Sequence, residues 1–172
     1  MKKTITYVFI DAQNLHLGVK KDVYRNRKKV YSGWEIDYKR FYIFLKDKYK
    51  TDKVFLFIGR IDKYNHIYKN LKNIGYKLIF KEVSLYSKNN KVVYKGNIDT
   101  LLVLTVMKLE KEYDDAIIVS GDGDFLCLID YLFEHKKLKR ILIPNREFYS
   151  HLLHKYKNVT DFIGNFRNKI KK

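Results

Sequence analysis

The hydrophobic positions alternate between two rhythms along the chain. Residues 5–10 (Ile-Thr-Tyr-Val-Phe-Ile) form a short, nearly continuous apolar run rich in β-branched and aromatic side chains. That pattern predicts a strand buried on both faces. Residues 21–36 are polar and basic and read as a loop or a frayed helix end. From Asp37 the spacing changes to threes and fours, with Tyr38, Phe41, Leu45 and Tyr49 on one helix face. Val54–Ile58 predicts a second buried strand. Asp62 is placed to cap a helix striped by Tyr64, Ile67, Tyr68, Leu71 and Ile74, which Gly75 can stop.

A third strand is expected over 76–83, then a small hairpin turning at Ser87-Lys88-Asn89-Asn90 into Val92-Val93-Tyr94. The segment from Leu101 to Leu109 is apolar nearly all round, which predicts a buried helix. Ala116–Val119 is a fourth strand, and Phe125–Glu134 a largely apolar helix. Ile141–Ile143 is a short fifth strand closed by Pro144. Residues 147–172 read as one or two helices with a basic tail. Strands alternating with helices predict a three-layer α/β/α, Rossmann-like fold on a central, mostly parallel five-stranded sheet.

A length of 172 residues suits one domain with a full core. The apolar opening run is too short for a signal peptide or a membrane span, so a cytoplasmic protein with no membrane partner is expected. Cys127 is the only cysteine, which excludes an intrachain disulfide and a cysteine-rich zinc site, and its apolar context reads as core. His151 and His154 lack a third ligand and read as surface residues. The net charge is +17. Such a charge suits a nucleic-acid binder, although the excess of Lys, Asn, Ile and Tyr is also what an AT-rich genome produces.

Against that positive background, four aspartates fall where a parallel sheet gathers functional groups, beyond the carboxyl ends of its strands. Asp11 ends the first strand, Asp99 opens an apolar helix, and Asp122 and Asp124 follow the fourth strand. Singly, each reads as a helix cap. Together they repel by about 4 kcal/mol per pair at ~4 Å in an effective dielectric near 20. A divalent cation removes that cost, and oxygen-only ligands favour Mg²⁺ or Mn²⁺. Asn14 can start a helix or orient a carboxylate or phosphate. In the basic stretch, Arg25, Arg27, Lys28 and Lys29 can track phosphates while Tyr24, Tyr31 or Trp34 stacks on bases.

Phe9-Ile10-Asp11-Ala12-Gln13-Asn14, then Lys95-Gly96-Asn97-Ile98-Asp99, then Ser120-Gly121-Asp122-Gly123-Asp124-Phe125 resemble, in order and spacing, the motifs of the NYN domain. This is part of the PIN-like nuclease group, and the likeness is to its LabA-like bacterial branch. The resemblance covers residues 4 to about 145, with the basic tail from about 146 to 172 completing a single NYN/PIN-like domain. It implies a PIN-like fold, a Mg²⁺ or Mn²⁺ pocket and ribonuclease activity. Asp11, Asp99, Asp122 and Asp124 match the family's acidic positions, Asn14 its asparagine and Ser120 its small polar residue. Lys95 and the 25–29 cations would then hold a single-stranded or structured RNA. A rival reading keeps the fold as a non-catalytic nucleic-acid-binding or scaffold module. Monomer and homodimer both remain open.

Overall fold

The structure, a computed structural model, describes residues 3–81, 84–88, 91–95 and 98–172, the segments 84–88 and 91–95 by their backbone only. Ten strands are described: β1 (Thr6–Asp11), β2 (Val23–Arg25), β3 (Lys28–Tyr31), β4 (Lys53–Gly59), β5 (Lys77–Lys81), β6 (Ser84–Lys88), β7 (Lys91–Lys95), β8 (Asp115–Val119), β9 (Leu138–Ile143) and β10 (Thr160–Phe162). The α-helices are α1 (Ala12–Lys20), α2 (Tyr38–Tyr49), α3 (Asn65–Ile74), α4 (Ile98–Lys108), α5 (Leu126–Glu134) and α6 (Arg167–Ile170). No helix among the described residues is long and apolar enough to cross a membrane.

Six strands make one sheet in the order β10-β9-β8-β1-β4-β5, and every pairing in it is parallel. The chain therefore winds from β1 outward to β5, returns to the other side of β1, and winds outward again. The reversal falls between β1 and β8. A parallel sheet leaves a crevice at such a switch point, outside the carboxyl ends of the strands.

Each face of the sheet is covered because successive side chains point to opposite sides. Val8 and Ile10 pack with Leu15, Phe41, Leu45 and Leu71 from α1, α2 and α3. Tyr7 and Phe9 pack with Leu102, Val106, Phe125 and Leu132 from α4, α5 and the turn before α5. Asp11 continues the Tyr7–Phe9 side, which is the side α4 covers.

Several expectations change. The sheet has six strands, because Thr160–Phe162 joins its edge instead of lying in a terminal helix. Three residues with a central Asp161 carry no apolar signal; Asp161 is held by the Tyr49 hydroxyl at 2.8 Å. Residues 23–31 form a hairpin, not a frayed helix end, with Asn26 and Arg27 both left-handed (φ 48° and 62°) at its turn. Asp62 does not cap α3; it opens a 3-10 turn, Asp62–Tyr64, and its carboxylate pairs with Arg60 at 3.7 Å. Helix α4 is one-sided: Leu102 and Val106 are buried, while Leu104 is 48% exposed. The hairpin expected near residue 90 is present as β6 and β7, with Asn89 and Asn90 outside the described residues.

Candidate active site

The register of β1 against β8 pairs Ile10 with Val119, so Asp11 stands level with Ser120 at the switch point. Asp11 is buried and caps α1, its Oδ1 accepting the Asn14 N–H at 3.0 Å. The Asn14 side chain reaches across the crevice, where its Oδ1 accepts the Gly121 N–H at 2.8 Å. The loop after β8 is thereby fastened to the start of α1. Ser120 is buried, and its Oγ accepts the Asp122 N–H at 3.2 Å. Asp122 caps the short turn that follows, taking the Asp124 N–H at 3.0 Å. Asp124 is exposed.

Asp99 comes from α4, which lies against β1, β4 and the turn Gly123–Phe125. It sits one residue inside the helix, so it is not the cap; Gly96 and Asn97 lie outside the described residues. A carboxylate in a helix's first turn also meets the positive end of the helix dipole.

The electrostatics show which carboxylates share a neighbourhood. Burial is the main force raising the Asp11 carboxyl from 3.8 to about 6; the charges of Asp99 and Asp122 add to it, while the Asn14 and Gln13 N–H groups oppose it. Asp99 is also raised, first by burial and then by Asp122 and Asp124, with Lys81 pulling the other way. All four aspartates thus occupy one field. They do not converge on a point: among the described residues no three acidic, histidine or cysteine side chains are grouped closely enough to grip an ion as they stand. Chemically the set fits a hard divalent cation, because every donor is oxygen and the crowding favours any added positive charge. Lys81, at the end of β5, carries no local mark of a site residue. Its strand is an edge of the sheet and only the fold carries it to Asp99.

The loop 144–150 carries no such mark either. Ser150 N–H donates to the Gly121 carbonyl at 2.9 Å, and a Cβ at Gly123 would stand 2.4 Å from Ser150 Oγ. Gly121 and Gly123 therefore serve close approach, and neither has a positive φ. The loop is itself anchored by buried Asn145, whose side chain donates to the Gly18 carbonyl and accepts the Glu147 N–H.

The basic stretch divides. Arg25 pairs with Glu147 at 3.2 Å, and Lys29 with Asp22 at 2.6 Å. Arg27 and Lys28 are exposed and have no ion pair among the described residues. Trp34 is buried, with its Nε1–H donated to the Tyr31 hydroxyl at 2.6 Å, so the indole is not offered to a base, while Tyr31 is half-buried. Tyr24 remains exposed. The side chain of Lys95 lies outside the described ones. Cys127 is exposed rather than core, on the outer side of α5, and His151 and His154 are exposed as expected.

A cleft of about 860 Å³ opens on the α1–α3 side of the sheet, with Gln13 and Ile98 in its wall. None of the four aspartates lines it.

Comparison with known proteins gives three findings. The profile of the NYN domain family matches residues 5–162, past the expected end near 145. The low amplitude and bright protein LabA of Synechococcus elongatus is 24% identical over 132 residues, covering 73% of this chain and 66% of that protein. A crystal structure of a protein of unknown function from Vibrio parahaemolyticus superposes over 100% of both chains with a TM-score of 0.72 at 18% identity. At that identity it speaks for the fold alone, the PIN-like α/β/α arrangement.

Proposed function

The chain belongs to the NYN domain family, and from that membership we propose that it is a metal-dependent nuclease acting on RNA. The observation that carries the reading is the shared field of Asp11, Asp99, Asp122 and Asp124 at the switch point of a chain with net charge +17. Acidic groups clustered inside a basic protein suit a cation on one side and a polyanion on the other.

In this reading the four aspartates hold one or two Mg²⁺ or Mn²⁺ ions. When bound, the ion supplies Lewis acidity at the scissile phosphate and a water of lowered pKa. Asp11 stays fixed by its cap bond to Asn14. Asn14 and Ser120 hold the Gly121–Asp124 loop in shape through the Gly121 and Asp122 N–H groups. Lys81, Arg27 and Lys28 supply positive charge on the described surface for the strand's phosphates.

One observation favours the non-cutting alternative: the carboxylates do not form a ready ligand set among the described residues. Cleavage of an end-labelled RNA decides. The purified protein should cut it with Mg²⁺ or Mn²⁺ and stop with EDTA, and Asp122→Asn should cut far more slowly. Cutting by Asp122→Asn at the wild-type rate refutes the assigned site. Tight binding without any cutting leaves the scaffold reading.

A further inference from the structure

Phe148 is 69% exposed, more than any other large hydrophobic residue among those described. Scattered apolar residues on a surface are ordinary, so exposure alone decides nothing. Two further facts separate Phe148 from that background.

The first is its mounting. Phe148 N–H donates to the Asn145 carbonyl at 3.3 Å, and Asn145 is buried and bonded to both Gly18 and Glu147. Two residues on, Ser150 clasps Gly121. The ring is thus held out on a braced loop, and that brace is the one that shapes the Asp122–Asp124 turn.

The second is its surroundings. Lys21 Nζ stands 5.8 Å from the ring centroid, at the outer limit of a cation–π contact. Arg25 reaches the preceding residue, bonding the Glu147 carbonyl at 3.3 Å and its carboxylate at 3.2 Å. Lys28 pairs directly with Arg25 across the hairpin, and directly paired residues share a face. Tyr24 and Lys29 take the opposite face, where Lys29 lies over the Tyr24 ring at 5.5 Å. The Phe148 side of the hairpin therefore carries Arg25 and Lys28, with Arg27 at the tip. An exposed aromatic ring set among cations is the device by which proteins bind unpaired strands: the cations follow the phosphates and the ring stacks on a base.

We infer that Phe148 is a stacking platform for an unpaired base of a single-stranded nucleic acid whose phosphates run over Lys21 and Lys28, and that it sets the position of the strand relative to the aspartates. The inference rests on the proposed nucleic-acid partner but not on cleavage. Duplex bases are already stacked and offer no free face, so the platform favours single strands.

The test is binding of a fluorescein-labelled oligonucleotide by anisotropy in EDTA, where nothing is cut. Phe148→Ala should weaken single-strand binding roughly five- to hundredfold, and Phe148→Trp should restore it. Phe148→Leu keeps apolar bulk without a π face and should behave as Phe148→Ala. The salt slope should be unchanged in all three, because no charge is removed. An abasic strand should erase the difference between wild type and Phe148→Ala. Lys21→Ala, which spares the ring, should lower the slope instead. Wild-type affinity in Phe148→Leu or Phe148→Ala, or an equal loss for single strand and duplex, overturns the inference. Binding without cleavage in Mn²⁺ removes catalysis and leaves the platform standing. Failure of the wild type to bind any strand overturns both.

Discussion

Asp11→Asn should make the protein more stable at neutral pH, and the gain should vanish in acid. Asp11 is 5% exposed, and its carboxyl titrates at about 6 instead of 3.8. Two units correspond to ~3 kcal/mol at ~1.4 kcal/mol each. The sign follows from proton binding. Between the two values the folded chain still holds a proton that the unfolded chain has lost, so stability falls as pH rises from 3.8 to about 6 and stays lowered above. Asparagine removes that charge and is as good a cap as aspartate, keeping an acceptor for the Asn14 N–H.

Allowing for relaxation around the ionised group, the variant should gain about 2 kcal/mol at about pH 7.5, or roughly 4–8 °C in Tm for a chain of this size. At about pH 4 the two curves should meet. Millimolar Mn²⁺ at neutral pH should raise the wild-type Tm and leave the variant nearly unmoved, since a ligand stabilises only the state that binds it. Thermal melts across pH, with and without Mn²⁺, measure all three. A variant no more stable than wild type at neutral pH, or a gap that does not change with pH, refutes the assignment of a costly charge at Asp11.

Asn14→Ala should cost about 1–3 kcal/mol in urea unfolding, because the buried Gly121 N–H loses its acceptor. Gly123→Ala should cost a similar ~1–3 kcal/mol by overpacking against Ser150, and Ser150→Gly should recover part of it. Arg27→Gly should move two properties in opposite directions. The left-handed turn position relaxes by up to ~1 kcal/mol, so Tm should not fall, while the single-strand salt slope should drop by about 0.7 if Arg27 neutralises one phosphate. An unchanged slope removes Arg27 from the strand's path.

The sheet is legible in the sequence because a parallel strand buried on both faces is written as an unbroken apolar run, as in Tyr7–Ile10 and Ala116–Val119. The acidic residues are legible for the same reason: each run ends abruptly at Asp11 or Ser120, and the carboxyl end of a parallel strand is where groups collect. What stays hidden depends on partners far along the chain. The Asn14–Gly121 bond joins residues 107 apart, and nothing local to either announces it. The pattern Gly-Asp-Gly suggests a tight turn, yet both glycines answer to Tyr149 and Ser150. The β2–β3 hairpin is hard to read because its turn has Arg27 where glycine would have marked it. Strand β10 gives no pattern because it is only three residues long.

Helix capping explains the four aspartates unequally. Asp11 and Asp122 do cap, through the Asn14 and Asp124 N–H groups. Capping needs an oxygen, not a charge, and asparagine serves as well. It therefore accounts for the side-chain oxygens at these positions but not for the ionised carboxyl that burial opposes at Asp11. Asp99 and Asp124 do no capping among the described residues; Asp99 lies in the field of Asp122, and Asp124 adds to that field. Lys81 opposes the charges of Asp122 and Asp124 at Asp99, whose carboxyl stays raised, chiefly by burial. Burial and mutual repulsion together leave room for positive charge at the carboxyl ends of β1 and β8. An exposed lysine more than about 10 Å away would not fill it, because such a charge is largely screened at ordinary ionic strength. A small cation that reaches the crevice can fill it, and the proposed metal-dependent reading rests on this local site more than on the overall charge of the chain.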